Sequence, residues 1–202
     1  MQLINIIGAS GHAKSIIDLI PDKNAIVGVY DDNLELTTLM GLSVTTPIPP
    51  IFPNKSPLVI AIGDNRVRCD FARQMHENHQ FVTIIHDSAI ISTSAQIGSG
   101  SVVMERVVLK VDSCVGDHVI LNTASTIDHD CYIGDFVHIG PGCTLCGNVQ
   151  IGEGTLVGAG SVILPNVKVG KWCTIGAGSV VIEDLEDGGK WIGNRAISKK
   201  MI

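Results

Sequence analysis

Aromatic residues are scarce in this chain, at 4% of 202 positions, although 45% of residues are hydrophobic. Its core must therefore be built from small aliphatic side chains, which excludes the ordinary globule packed around large rings and favours a regular, turn-rich architecture. No apolar run approaches the roughly 18 to 20 residues of a membrane-crossing helix. The opening MQLINIIGASG also lacks the positive start and apolar length of a secretion signal, so no membrane insertion is expected and the cytoplasm is the expected location. A basic excess is missing too: 14 Lys and Arg stand against 20 Asp and Glu, a net charge of -6. Nucleic acid is thereby excluded as the main partner, and any phosphate is expected on backbone amides. The six cysteines form no framework. Cys143 and Cys146 are separated only by TL, and no partners stand at finger spacing, so neither a metal nor disulfides are expected.

What the sequence has in abundance is repetition. An aliphatic residue returns every six positions, from Ile85, Ile91 and Ile97 through Ile127, Ile133 and Ile139 to Val181, without a slip. Four positions after each stands a small or β-branched side chain, among them Ser101, Ser125, Cys131, Val137, Cys143 and Cys173. One large and one small inward residue per repeat is the pattern of a parallel β-helix, whose coils bury their apolar side only by stacking. Cys131, Cys143 and Cys173 then fill the small interior slot as compact hydrophobes, Cys114 faces outward and Cys146 takes a corner position. The position just after each aliphatic is rich in Gly, Asn and Asp (Gly98, Gly116, Asn122, Asp128, Gly134, Gly140), and this is where positive φ and the corner are expected. On that expectation Asp128 is a turn former first.

The first eighty residues read differently. LINIIG is a short buried strand, and ASGHA leads into the periodic AKSIIDLI. AIVGVYDD is a second strand, and PLVIAIGDN a third that runs into the helical RVRCDFARQMHENHQ. The chain is thus expected to divide into a Rossmann-like α/β unit over 1–80, a β-helix over 81–186 and a C-terminal cap or tail over 187–202. Gly8 and Gly11 suit a turn that offers backbone amides and a helix N-terminus to a pyrophosphate, with Asp31 and Asp32 at the next strand's end. The full G-x-G-x-x-G fingerprint is absent, and an ordinary strand-to-helix turn explains the same glycines equally well.

The run VQIGEGTLVGAGSVILPNVKVGKWCTIGAGSVV resembles the hexapeptide-repeat acyltransferases, and the likeness extends over residues 85–186. It implies a left-handed β-helix of triangular section, against the usual right-handed crossover. GASGHAK and YDD, joined to IDHDCYIG, are similar over nearly the whole chain to one branch of that superfamily. This branch comprises the bacterial nucleotide-sugar N-acetyltransferases of bacillosamine synthesis and the related sialic acid O-acetyltransferases. The resemblance implies acetyl-CoA as cosubstrate, a UDP-linked amino sugar as acceptor, and a homotrimer with active sites between subunits. It assigns the general base to His129 and the orienting carboxylate to Asp130. It places CoA against His138 and against backbone at Gly147, Ala159 and Ala177, the last standing where the family has glycine. It sets Ser10, Gly11 and His12 near the diphosphate and sugar, Asp31 and Asp32 on the uracil side, Ile62 and Gly63 at the far wall, and Asn122 near the acceptor. His12 as a helix-start packing residue and Asn122 as a corner former remain open. The ending Gly193, Asn194, Arg195, Ala196 lacks the family's proline, which leaves covering of the last coil, with Trp191, as the reading of the tail.

Acetyl transfer from a thioester needs a base for the proton that the attacking amine or hydroxyl must lose, and imidazole titrates in the right range. Consecutive strand residues point to opposite faces, so His129 and Asp130 can pair only if the corner breaks that alternation. Three other readings compete. One is a hydroxyl acceptor, as in sialic acid O-acetylation. A second is a trimeric zinc carbonic anhydrase of β-helix type, in which histidines from neighbouring subunits bind the metal, drawing on His118, His129 and His138. The third is a nucleotide-sugar-binding module with an inactive β-helix.

Overall fold

The computed structural model describes residues 2–49, 52–193 and 197–198. The N-terminal unit begins with β1 (Ile4–Ile7), α1 (Gly11–Leu19) and β2 (Ile26–Tyr30). It continues with β3 (Thr38–Leu39), β4 (Leu42–Thr45), β5 (Leu58–Ile60) and α2 (Asn65–Met75). Its sheet has five strands in the order β3-β4-β2-β1-β5, parallel except for the β3–β4 edge hairpin. That hairpin turns on Met40 and Gly41, both at positive φ (51° and 81°), as a tight two-residue turn requires. Glycine at position 8 has a double cause: φ is +100°, and an added Cβ would lie 2.9 Å from Ile62 Cγ1.

From Ile84–Ile85 to Val180–Val181 the chain makes a two-residue strand every six residues, and each strand pairs in parallel with the one 18 residues on. The result is three sheets, which form the faces of a β-helix. The first face contains Ile120–Leu121, His138–Ile139 and Leu156–Val157; the second Thr126–Ile127 and Thr144–Leu145; the third Tyr132–Ile133 and Gln150–Ile151. The repeating aliphatics and the small residues Cys131, Cys143 and Cys173 fill one continuous core, as expected. At the C-terminal end Trp191 pairs with Ile175 and packs against that core, and Ile197–Ser198 adds an antiparallel strand. Asn194, Arg195 and Ala196, where the family's proline is missing, lie outside the described residues. Among the described residues no helix is long and apolar enough to cross a membrane.

The corners correct the sequence reading. From Ile97 to Ile175 positive φ falls on the third residue after the aliphatic, not the first: Arg106, His118, Ala124, Asp130, Phe136, Gly142, Asn148 and Trp172 all lie between 54° and 64°. Asp128 is therefore not the left-handed residue of its corner; Asp130, at φ 60°, is. The glycines just after the aliphatics answer a different demand, the approach of the next coil. A Cβ on Gly98 would sit 2.5 Å from the Gly116 carbonyl carbon, and one on Gly158 would sit 2.5 Å from Ala177 N.

The α/β unit docks on the first face and on the corner that precedes it. Val102 and Met104 belong to the apolar cluster of the N-terminal sheet, and Phe136 to the cluster around α2. At the start of α2, Asn65 Nδ2 donates to the Gly154 carbonyl (3.0 Å), and the Arg66 guanidinium lies 4.5 Å over the Trp172 ring.

Candidate active site

The second-to-third corner carries Asp128, His129 and Asp130. Asp128 Oδ1 accepts the His129 N–H at 2.8 Å, which holds its carboxyl below the usual range and pins the entry to the turn. The left-handed conformation of Asp130 breaks strand alternation and swings its side chain beside its neighbour's, so that His129 Nδ1 lies 2.7 Å from Asp130 Oδ2. Both side chains are more than half exposed, at 53% and 58%. With Nδ1–H donating to the carboxylate, the Nε2 lone pair is free to take a proton.

The imidazole lies over Gly147, one coil further on: a Cβ there would be 2.6 Å from both Cε1 and Nε2 of His129. Sequence comparison had offered Gly147 as a backbone contact for the cofactor. The structure shows that its missing side chain is what gives the ring its place.

A second group forms where the α/β unit meets the first face. His138 projects from that face, with its Nε2 3.1 Å from Asn122 Nδ2, and the Asn122 Oδ1 accepts the Thr123 N–H at 2.8 Å. The amide is thus oriented with nitrogen toward His138, which makes Nε2 the acceptor and leaves the ring proton on Nδ1. Asn122 is then more than a corner former, since it sets the His138 tautomer. His12, in the first turn of α1, has its ring centroid 6.3 Å from that of His138, and its buried Nε2 has no partner among the described residues. Burial first, then repulsion from His138 and from the Arg68 guanidinium, lowers His12 to about 4; burial and Arg68 lower His138 to about 4, against a backbone hydrogen bond with Gly63. Both rings are neutral near pH 7. Ser10 caps α1 without a side-chain hydrogen bond, so its hydroxyl and the Gly11 and His12 region stay exposed or half-exposed.

Asp31, which the resemblance sets on the uracil side, holds backbone together at the end of β2. Its Oδ2 accepts Ala9 N–H at 2.6 Å and its Oδ1 accepts Asn33 N–H at 2.8 Å, so it ties the turn after β1 to the end of β2. Asp32 accepts the Ile48 N–H (3.0 Å) and borders a cavity of about 300 Å³ walled by Phe52, Phe71, Gln74, Asn78 and His79. Gly63 lies across from His12, whose Cβ is 3.9 Å from where a Cβ on Gly63 would sit, while Ile62 packs against Gly8.

Ala159 and Ala177 stand on the first-to-second corner, one coil apart, in the sequences Gly158-Ala159-Gly160 and Gly176-Ala177-Gly178 below Gly140-Pro141-Gly142. Gly142, Gly160 and Gly178 have positive φ and open space where a Cβ would be. This edge therefore presents bare backbone. His118, the third histidine of the zinc alternative, is buried at the third-to-first corner, stacked on Phe136 (5.3 Å) with Phe81 edge-on (4.4 Å), while His129 stands exposed on the second-to-third corner. Among the described residues no group of three or more His, Cys, Asp or Glu could hold a metal ion.

The predicted residues thus fall into separate sets. His129, Asp130 and Gly147 share one edge, Asn122, Ala159 and Ala177 the next, and His138 meets His12 and Gly63 on the face adjoining that second edge. Among the described residues, no hydrogen bond, ion pair or ring contact joins the His129 edge to the His12–His138 group.

Three neutral histidines, His118 buried and His12 and His138 half-buried, predict an acid-labile fold. His12, His118 and His138 each sit at about 4 in the folded chain and near 6.5 unfolded. The unfolded chain binds more protons between those values, so the stability they contribute is complete above pH 6.5 and is lost as pH falls toward 4. Calorimetry at pH 5 should register the uptake of about three protons on unfolding, with a flat melting temperature above pH 6.5; a melting temperature insensitive to pH from 7 to 4.5 would contradict it.

Comparison with known proteins completes the picture. Residues 3–75 match the PglD N-terminal domain, and residues 148–183 match the bacterial transferase hexapeptide family of six repeats. A perosamine N-acetyltransferase variant from Caulobacter crescentus, solved with CoA and GDP-perosamine, is 35% identical over 100% of this chain and 98% of that one, with a TM-score of 0.92. The acetyltransferase domain of PglB from Neisseria gonorrhoeae, in complex with acetyl coenzyme A, is 34% identical over 98% of this chain and 99% of that one, with a TM-score of 0.88. The UDP-N-acetylbacillosamine N-acetyltransferase of Bacillus subtilis is 36% identical over 113 residues, 52% of each chain. Curated relatives are matched over only 24% and 52% of their own lengths.

Proposed function

The chain belongs to the hexapeptide-repeat sugar N-acetyltransferases with a PglD-type N-terminal domain, and from that premise we propose that it transfers the acetyl group of acetyl-CoA to the amino group of a nucleotide-linked amino sugar. The observation that carries this reading is the His129–Asp130 pair, 2.7 Å apart on an exposed corner, with Nε2 unengaged among the described residues. As the acceptor nitrogen bonds to the thioester carbon, Nε2 takes its proton; the carbon–sulfur bond then breaks, and the proton passes on to the departing thiolate. Asp130 fixes the tautomer and steadies the imidazolium formed between these steps.

The rest of the site is distributed accordingly. The uncapped start of α1, with Ser10, Gly11 and His12, suits a diphosphate and the sugar beyond it. Asp32 and the cavity beside it suit the nucleobase. The bare edge at Ala159 and Ala177 suits pantetheine, an extended chain of amides that reads backbone groups. A UDP-linked 4-amino-4,6-dideoxy sugar is the acceptor placed first, following the Bacillus relative, with a GDP-linked sugar second. Since the base and the His12–His138 group occupy different parts of one coil, we assign the working unit to a homotrimer in which the His129 edge of one subunit faces the neighbour's cleft. The test is CoA-thiol release by the purified protein with UDP-, GDP- and dTDP-linked 4-amino sugars, and with free sialic acid as the hydroxyl acceptor. Turnover is expected with an amino sugar; release with sialic acid alone, or with none, overturns the reading.

A further inference from the structure

Helix α2 carries an arginine on its apolar stripe. Its buried positions are Asn65, Arg68, Cys69, Ala72 and Met75, and Arg68 is only 1% exposed. No carboxylate pairs with it among the described residues; its donors go to carbonyl oxygens. Nε donates to His118 O (2.8 Å), Nη1 to Ile62 O (3.0 Å) and Gly63 O (3.2 Å), and Nη2 to Asn65 Oδ1 and Phe136 O (both 2.8 Å). The five N–H groups of a guanidinium thus meet five acceptors, a match that three ammonium donors on a flexible stem cannot reproduce. His118 and Phe136 hold left-handed corners of successive coils, while Gly63 lies against His12 and His138 and Ile62 packs on Gly8, in the turn that leads into α1.

We infer that Arg68 is a positioning residue of the acetyl transfer: by tying the Ile62–Gly63 loop to two corners of the β-helix, it sets the separation between the turn that bears His12 and the face that bears His138. The inference rests on the proposal that these residues line the acceptor site. A buried charge is costly, and apolar packing would join two domains as firmly. What the fork adds is direction, since it fixes the carbonyl of Gly63, the residue that faces both histidines, together with that of Ile62 beside it. The positive charge also acts on both rings and helps keep them neutral.

The experiment compares Arg68→Met and Arg68→Lys with Arg66→Ala, which removes only the Trp172 contact between the domains. Arg68→Met should raise the acceptor KM about tenfold or more and leave the acetyl-CoA KM within about twofold, as expected when a buried, hydrogen-bonded charge is removed from one substrate's site. Arg68→Lys should recover part of that loss, and Arg66→Ala should lower the melting temperature with an unchanged acceptor KM. An acceptor KM at the wild-type value in Arg68→Met, an equal rise in both KM values, or failure of both Arg68 variants to fold assigns Arg68 to stability alone and overturns the inference. Wild-type protein inactive on every nucleotide-linked amino sugar defeats the acetyl-transfer proposal itself, and this inference with it.

Discussion

Replacing His129 by alanine should lower kcat by about 10²- to 10⁴-fold, the span a positioned general base contributes, while CoA affinity measured by calorimetry and the melting temperature stay near wild type. The small structural cost follows from the site's exposure. With its ring more than half open to solvent, His129 holds no core together. The loss in rate follows from the pair it forms: Asp130 takes Nδ1–H, so the second nitrogen is presented as a lone pair and the imidazolium, once formed, has a counter-charge 2.7 Å away. In one chain this pair stands in water, where its attraction is weak; enclosed by a neighbouring subunit and a bound sugar, it acts in a lower dielectric and is worth more. Because the two side chains act as a unit, the double variant His129→Ala/Asp130→Ala should be no slower than His129→Ala alone. Turnover within a few-fold of wild type in His129→Ala would falsify the base assignment, and a further large loss in the double variant would show Asp130 acting independently.

The β-helix was legible because its rule is restated every six residues, so that one exchanged position does not hide the next; the register from Val103 to Val181 is the one the structure contains. The corner was misread for a physical reason. Glycine after each aliphatic looks like a demand for positive φ, but it is a demand for room, met where the next coil's backbone passes within 3 Å of an added Cβ. The true left-handed positions also accept Arg106, Phe136 and Trp172, residues without a preference for that conformation, because pairing on both sides of the corner overrides local propensity. The β3–β4 hairpin escaped notice since Met40-Gly41 is not a usual turn pair. Arg68 carried a signal that was available: it falls three residues after Asn65 and one before Cys69, on the buried stripe of an amphipathic helix, where a cation needs a reason. The division of the site among different edges could not be seen, since a six-residue repeat says which way a side chain points and not which edge of the coil a substrate will reach.

Gly147→Ala tests the geometry of the base without touching the base. The backbone at Gly147 is in an ordinary conformation, so alanine brings no φ strain; what it brings is a methyl 2.6 Å from His129 Cε1 and Nε2. That overlap is relieved cheaply, because the ring is a half-exposed end of a flexible side chain and can swing away while the coil stays put. The cost then falls on catalysis and not on folding. A displacement on the order of 1 Å moves Nε2 off the line to the acceptor nitrogen and is expected to lower kcat about 10²-fold, with the melting temperature within a few degrees of wild type. The companion measurement is the acetyl-CoA KM, which separates the two tasks this glycine has been given. If kcat holds and that KM alone rises, Gly147 serves the cofactor through its backbone; if kcat falls with both KM values steady, its absent side chain is the seat of the imidazole, and the distance from one coil to the next decides where the proton goes.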